Sequence, residues 1–288
     1  MAQVQLRYAY SFNPLNIMNE DFANYHKKTA SRWQQEDMAL NKLMDLKIDY
    51  AFKQLFGSEE NKHIIIAFLN AFLQKADRSR IINIICLNTE ASYEYTDEKL
   101  STLNLLVETE QSEEISIEIQ FPNKNNIVKH SLFYWSRLYA KSFRKSMNDN
   151  EILPVVSIHI LNEHIFDQTE RFHTIYHLYE DRDKFRLTNE VEVHFIEMPK
   201  LLRDWKREKL YPWNDVFVRW LLILGMVDGR KGVVHEDIYK TLREIAMHDK
   251  ILYSALVRWR NLSVTEKGIR AYESRLKWIL DEESSNQA

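Results

Sequence analysis

The segment Ser116-Ile117-Glu118-Ile119-Gln120 sets an acid between two isoleucines, with an amide two residues further on. Successive side chains of a strand alternate between faces. Ser116, Glu118 and Gln120 therefore share one face, and Ile115, Ile117, Ile119 and Phe121 the other. The preceding stretch, Ser101-Thr102-Leu103-Asn104-Leu105-Leu106, sets Asn104 among leucines. A polar turn at 110–113 joins the two stretches as a hairpin, and positions 104 and 118 can meet across it. Acids on two adjacent strands suit a hard divalent cation such as Mg²⁺. The cation takes oxygen ligands, lowers the pKa of a bound water and neutralises charge on a phosphodiester. The same alternation suits the solvent face of a half-exposed antiparallel strand, so periodicity alone leaves both readings open.

Residues 122–148 contain Lys124, Lys129, Arg137, Lys141, Arg144 and Lys145 and no Asp or Glu. At about 100° per residue, Lys129, Arg137, Lys141 and Arg144 fall on one arc of a helix over 127–145. Val128, Leu132, Trp135, Tyr139 and Phe143 fall on the opposite arc. A basic outer face suits phosphate backbones, which supply affinity without reading sequence; a merely solvated charged face is the alternative. His159, His164, His173, His177 and His194 are scattered through strand and turn segments. His173 and His177 lack a third ligand nearby and read as ordinary polar residues. There is no glycine-rich phosphate loop and no G-x-S-x-G elbow.

These residues need a framework, and the bulk numbers allow one. The chain has 288 residues, 45% hydrophobic and 28% charged, with 5 Gly, 5 Pro and a single cysteine, Cys86. That composition is globular and excludes an intrachain disulfide. A net charge of −3 gives no global pull on nucleic acid, so any such binding needs a local basic surface. With no apolar leader in the first thirty residues and no membrane-length apolar run, the expected compartment is the cytoplasm. Apolar periodicity predicts helices over 45–56 and 59–74, strands over 81–87, 100–109 and 114–121, the helix over 127–145, and strands over 155–161 and 191–198. The run 81–87 is continuous enough to suggest a strand buried on both faces. From 204 onward the pattern is helical: 213–225, 236–248, 250–260 and 265–283. Residues 1–38 read as an extension with one short helix at 20–35. Trp205, Trp213, Trp220, Trp259 and Trp278 crowd the helical half, suited to core packing or to an interface.

Asp49-Tyr50-Ala51-Phe52-Lys53-Gln54-Leu55-Phe56-Gly57 resembles the D-x-x-F-K-x-[LI]-F-G opening of PD-(D/E)XK nucleases of the transposase-like, recombination-promoting (Rpn) type. Glu118-Ile119-Gln120 is similar to that family's E-x-Q, residues 132–139 to the helix after its catalytic strand, and residues 192–200 (EVHFIEMPK) to its late strand. The resemblance spans about residues 40–280. It implies an α/β fold with a restriction-endonuclease-like core, a mixed central sheet flanked by helices, at 39–202, followed by an α-helical C-terminal region at 203–288. It also implies attack on DNA phosphodiesters dependent on Mg²⁺ (or Mn²⁺), in recombination, mobile elements or phage defence. Glu118 would ligate the metal, Gln120 would position water or phosphate, and Asp49 would add an outer carboxylate. Lys129, Arg137, Lys141 and Arg144 would bind DNA. The chain departs from the family at position 104, where Asn104 replaces the expected metal-binding Asp. A neutral amide is a weaker ligand for a hard dication. The alternative expectation is therefore a catalytically inactive DNA-binding or regulatory pseudo-nuclease acting through a homo-oligomer or a defence-system protein partner.

Overall fold

The apolar runs meet in a mixed six-stranded sheet. Its strands are β1 (Ile84–Leu87), β2 (Leu105–Thr109), β3 (Glu114–Gln120), β4 (Val155–Leu161), β5 (His173–Tyr176) and β6 (Val191–Glu197), in the spatial order β1-β2-β3-β4-β6-β5. The computed structural model describes residues 40–73, 80–87, 105–120, 127–145 and 154–285. The expected helix at 20–35 and position 104 lie outside the described residues. β1, β2 and β3 form an antiparallel meander, β3, β4 and β6 run parallel, and β5 lies antiparallel on the far side of β6. In the turn between β2 and β3, Ser112 adopts φ 61°, a left-handed conformation uncommon outside glycine.

Two strand expectations change in this setting. Every residue from Glu114 to Ile119 is buried, because β3 is an inner strand covered on both faces. The half-exposed alternative for β3 is therefore wrong. Conversely, β1 is not buried on both faces: it is an outer strand whose Ile85 is 58% exposed. An apolar run records composition and cannot say whether a neighbouring strand or helix arrives to cover it.

The helices are α1 (Asp49–Phe56), α2 (Lys62–Leu73), α3 (Ile127–Lys145), α4 (Met198–Lys206), α5 (Val216–Gly225), α6 (Glu236–Ala246), α7 (Lys250–Val264) and α8 (Glu266–Ser285). The strand expected to reach 198 ends at Glu197, and Pro199 sits in the first turn of α4. There its missing N–H costs nothing and its fixed φ favours the helix. Asp215 and Asp249 cap α5 and α7 by accepting from backbone N–H groups, which satisfies donors that a helix start leaves without partners. β5 and the short pair β7 (Val227–Asp228) with β8 (Val233–Val234) carry no periodicity long enough to be read from sequence.

α2 and α5 cover the face bearing Ile115, Ile117 and Ile119. The Phe72 ring of α2 lies 4.7 Å from His194 of β6 and 5.2 Å from Phe217 of α5. α1 and α2 also pack on α7, so the helices on both sides of the sheet segment in the chain share one helical layer. Trp220 and Trp259 are buried there, whereas Trp213 and Trp278 are exposed; the tryptophans thus divide between core and surface. Glu197 at the end of β6 accepts from the N–H groups of Ile165 and Phe166. Lys200 donates to Glu197 Oε2 at 2.6 Å and to the carbonyls of Phe166 and Thr169, pinning the loop after β4.

α3 covers the opposite face. Leu138 packs with Leu106 and Val155, and Trp135 reaches Leu161, Val193 and Phe195. The buried stripe is Ser131, Tyr134 and Leu138, whereas Val128 and Leu132 are 42% and 52% exposed. The arc expected to face the core is therefore rotated. The outer face is not purely basic, since Val128, Leu132 and Phe133 share it with Lys129. Ser131 can enter the core because its hydroxyl donates to the Val128 carbonyl at 2.8 Å, which a count of apolar residues cannot register. This orientation makes a direct prediction. Leu138→Ala should cost about 2–5 kcal/mol in urea unfolding, the usual range for a buried leucine. Leu132→Ala should stay within about 0.5 kcal/mol, and equal costs would contradict the orientation.

Candidate active site on the central strand

Glu118 lies near the end of β3, 1% exposed, on the face covered by α3. The parallel pairing of β3 with β4 sets it opposite His159 and sets Ser116 opposite Ser157. Ser116 donates to Ser157 Oγ at 3.1 Å. His159, also 1% exposed, places Nδ1 3.1 Å from Glu118 Oε2. That is ion-pair distance, yet neither ring nitrogen of His159 makes a hydrogen bond. The ring stacks on Phe195 of β6 with centroids 5.1 Å apart and planes 22° apart, which holds its orientation. A carboxylate in a core is costly unless charge or ligands meet it. Buried ionisable groups of this kind are frequent at functional sites, although structural ion pairs also bury carboxylates, as Glu197 with Lys200 does.

The other sequence-predicted residues are distributed unevenly around this pair. Gln120 closes β3 opposite Leu161; its side chain, like that of Arg144 in the last turn of α3, is outside the description. Lys129 is exposed and Lys141 partly buried, and the Arg137 guanidinium stands 5.6 Å from the centre of the Phe133 ring. The basic helix and Glu118 are thus brought to the same side of the sheet. Asp49 is engaged with α8: its Oδ1 accepts from Arg275 Nε at 2.8 Å and from the Tyr50 N–H.

The histidines are where sequence reading fell short. His159 and His194, which the sequence reading only located in strand and turn segments, are core residues. On the face opposite Glu118, His194 Nε2 lies 2.7 Å from Glu192 Oε1 and its Nδ1 lies 3.0 Å from His173 Nε2. The sequence signal for His159 is its place in a mostly apolar strand, Val-Val-Ser-Ile-His-Ile-Leu; its partner depends on inter-strand register.

Among the described residues, no group of three or more His, Cys, Asp or Glu side chains forms a metal cage. Magnesium sites commonly use one or two carboxylates, with water completing the shell. Glu118 with the nitrogen donor beside it is therefore a fitting, if minimal, donor set for a divalent ion. Among the described residues, no helix is long and apolar enough to cross a membrane. The family model described as PD-(D/E)XK nuclease family transposase matches residues 46–288. No curated protein and no solved structure matches the chain.

Proposed function

The chain belongs to the PD-(D/E)XK nuclease family transposase family, and on that premise we propose that it is a divalent-ion-dependent DNA endonuclease whose turnover is held down by Asn104. The observation that carries this reading is the burial of Glu118 on an inner strand, in the E-x-Q segment and on the same side of the sheet as the basic helix α3. The β2–β3 register runs through Leu105↔Ile117; one further step, which is part of the proposal, sets position 104 against Glu118. Mg²⁺ or Mn²⁺ bound there would supply Lewis-acid polarisation of the phosphate and an activated water. Glu118 holds the ion, and Gln120 orients water or the scissile phosphate. Asp49, neutralised by Arg275, contributes position more than charge. Asn104 supplies an oxygen without its charge, and this weakens the site. A role in recombination, mobile-element movement or phage defence is part of the same proposal.

Lys129, Arg137, Lys141 and Arg144 are proposed to bind the phosphate backbone. Replacing Lys129 and Lys141 together by alanine is expected to flatten the log Kd against log[salt] slope for duplex DNA. The expected change is roughly 0.9 per lost phosphate contact, measured by fluorescence anisotropy and similar across unrelated sequences. An unchanged slope would remove both residues from the interface.

A second reading, an inactive regulator acting through a second copy or a protein partner, is favoured by the apolar outer face of α3 at Val128, Leu132 and Phe133. Plasmid nicking by the Asn104→Asp variant decides for the nuclease. Light scattering of a non-cutting, self-associating chain decides for the regulator.

A further inference from the structure

We infer that His159 is a nitrogen ligand of the ion held by Glu118, so that this site takes a borderline first-row transition ion in preference to Mg²⁺. The inference rests on the divalent-ion reading above and deepens it.

Geometry is the first support. Two neighbouring ligands at about 2.1 Å from one octahedral ion lie roughly 3.0 Å apart, each aimed about 45° off the line joining them. A histidine that merely donates to a carboxylate behaves differently, because its N–H points along that line. His159 Nδ1 and Glu118 Oε2 are 3.1 Å apart, yet the pair lacks hydrogen-bond alignment. It therefore has the separation of two ligands on one ion and not the alignment of a donor with its acceptor.

Orientation and donor chemistry are the second support. Phe195 stacks on the ring and limits its rotation, and parallel pairing fixes His159 opposite Glu118. Both groups are shut away from bulk solvent, where an imidazole without a hydrogen bond is costly; a metal bond removes that cost. The side chain that the β3–β4 register brings beside Glu118 is an imidazole and not a second carboxylate. Imidazole favours zinc, cobalt and nickel over magnesium, with affinity rising along the Irving–Williams order.

The test uses the full chain with Mn²⁺ as the spin probe. Pulsed EPR is expected to show coupling to a directly bound imidazole nitrogen in the unmodified protein and to lose it in both His159→Asn and His159→Phe. Phenylalanine keeps the stacking on Phe195, which separates ligation from packing, and circular dichroism reports folding. By calorimetry, Co²⁺ affinity should fall about ten- to hundredfold in His159→Asn, while Mg²⁺ affinity stays level. Mn²⁺ that is released by Glu118→Gln but carries no nitrogen coupling would overturn this inference and leave the divalent-ion reading standing. Absence of Mn²⁺ binding in both the unmodified chain and Asn104→Asp would end both.

Discussion

Replacing Asn104 by aspartate is expected to raise Mg²⁺-dependent nicking of supercoiled plasmid by about a hundredfold or more, equivalent to roughly 3 kcal/mol of activation free energy. The amide and the carboxylate are nearly the same size, so the change adds charge where the proposal places the ion and leaves packing almost unaltered. The gain should vanish with EDTA and in the Asn104→Asp, Glu118→Gln double variant, because the restored acid has no partner once Glu118 is neutral. Time courses of supercoiled, nicked and linear DNA measure it. If the restored aspartate gives no cleavage with either Mg²⁺ or Mn²⁺, the endonuclease reading is wrong and the regulator reading takes its place.

The second large effect concerns other residues, in the segment leading into α1. Lys47 is buried and donates through Nζ to Asp45 Oδ1 at 2.7 Å, to the Leu224 carbonyl at 3.1 Å and to the Val227 carbonyl. Asp45 in turn accepts from the Gly229 N–H at 2.9 Å, while its own N–H donates to the Tyr272 hydroxyl at 3.0 Å. The cluster also reaches Asp228: burial pushes that carboxyl up, but Lys231, Lys47 and Arg230 together hold it below the usual carboxylate range. Burial and then the Asp45 charge push the Tyr272 phenol above its ordinary value. Lys47→Met would leave Asp45 without its cation in a dry site and two carbonyls without their donor. Removing one partner of such a pair costs about 3–5 kcal/mol. In a chain of this size that is a fall in Tm on the order of 10 °C, read by differential scanning calorimetry. Asp45→Asn combined with Lys47→Met should recover part of the loss, since no unpaired charge remains. A Tm for Lys47→Met within about 2 °C of the unmodified protein would contradict the cluster's role.

Both expectations concern polar groups near apolar neighbours, and only one group was conspicuous in the sequence. Glu118 stands out because it interrupts isoleucines in a strand whose alternation is plain. Lys47 does not, since a lysine between leucine and isoleucine reads equally well as surface. Its carbonyl partners, Leu224 near the end of α5 and Val227 of β7, are remote along the chain. His159 is intermediate: its strand is unmistakable, but its partner is set by how β4 slides against β3.

The sequence by itself determined the longer strands and most of the helices, the alternation that sets Glu118 and Gln120 on one face, and that a helix rich in basic residues follows them. These are local properties, set by the two-residue period of a strand and the 3.6-residue period of a helix. The order β1-β2-β3-β4-β6-β5, the meeting of Glu118 with His159, the rotation of α3 onto Ser131, Tyr134 and Leu138, and the capture of Lys47 were decided only by the tertiary structure. Each depends on the register or approach of segments distant in the chain. A one-residue slip in strand pairing or a quarter-turn of a helix changes every such contact and leaves the local periodicity untouched.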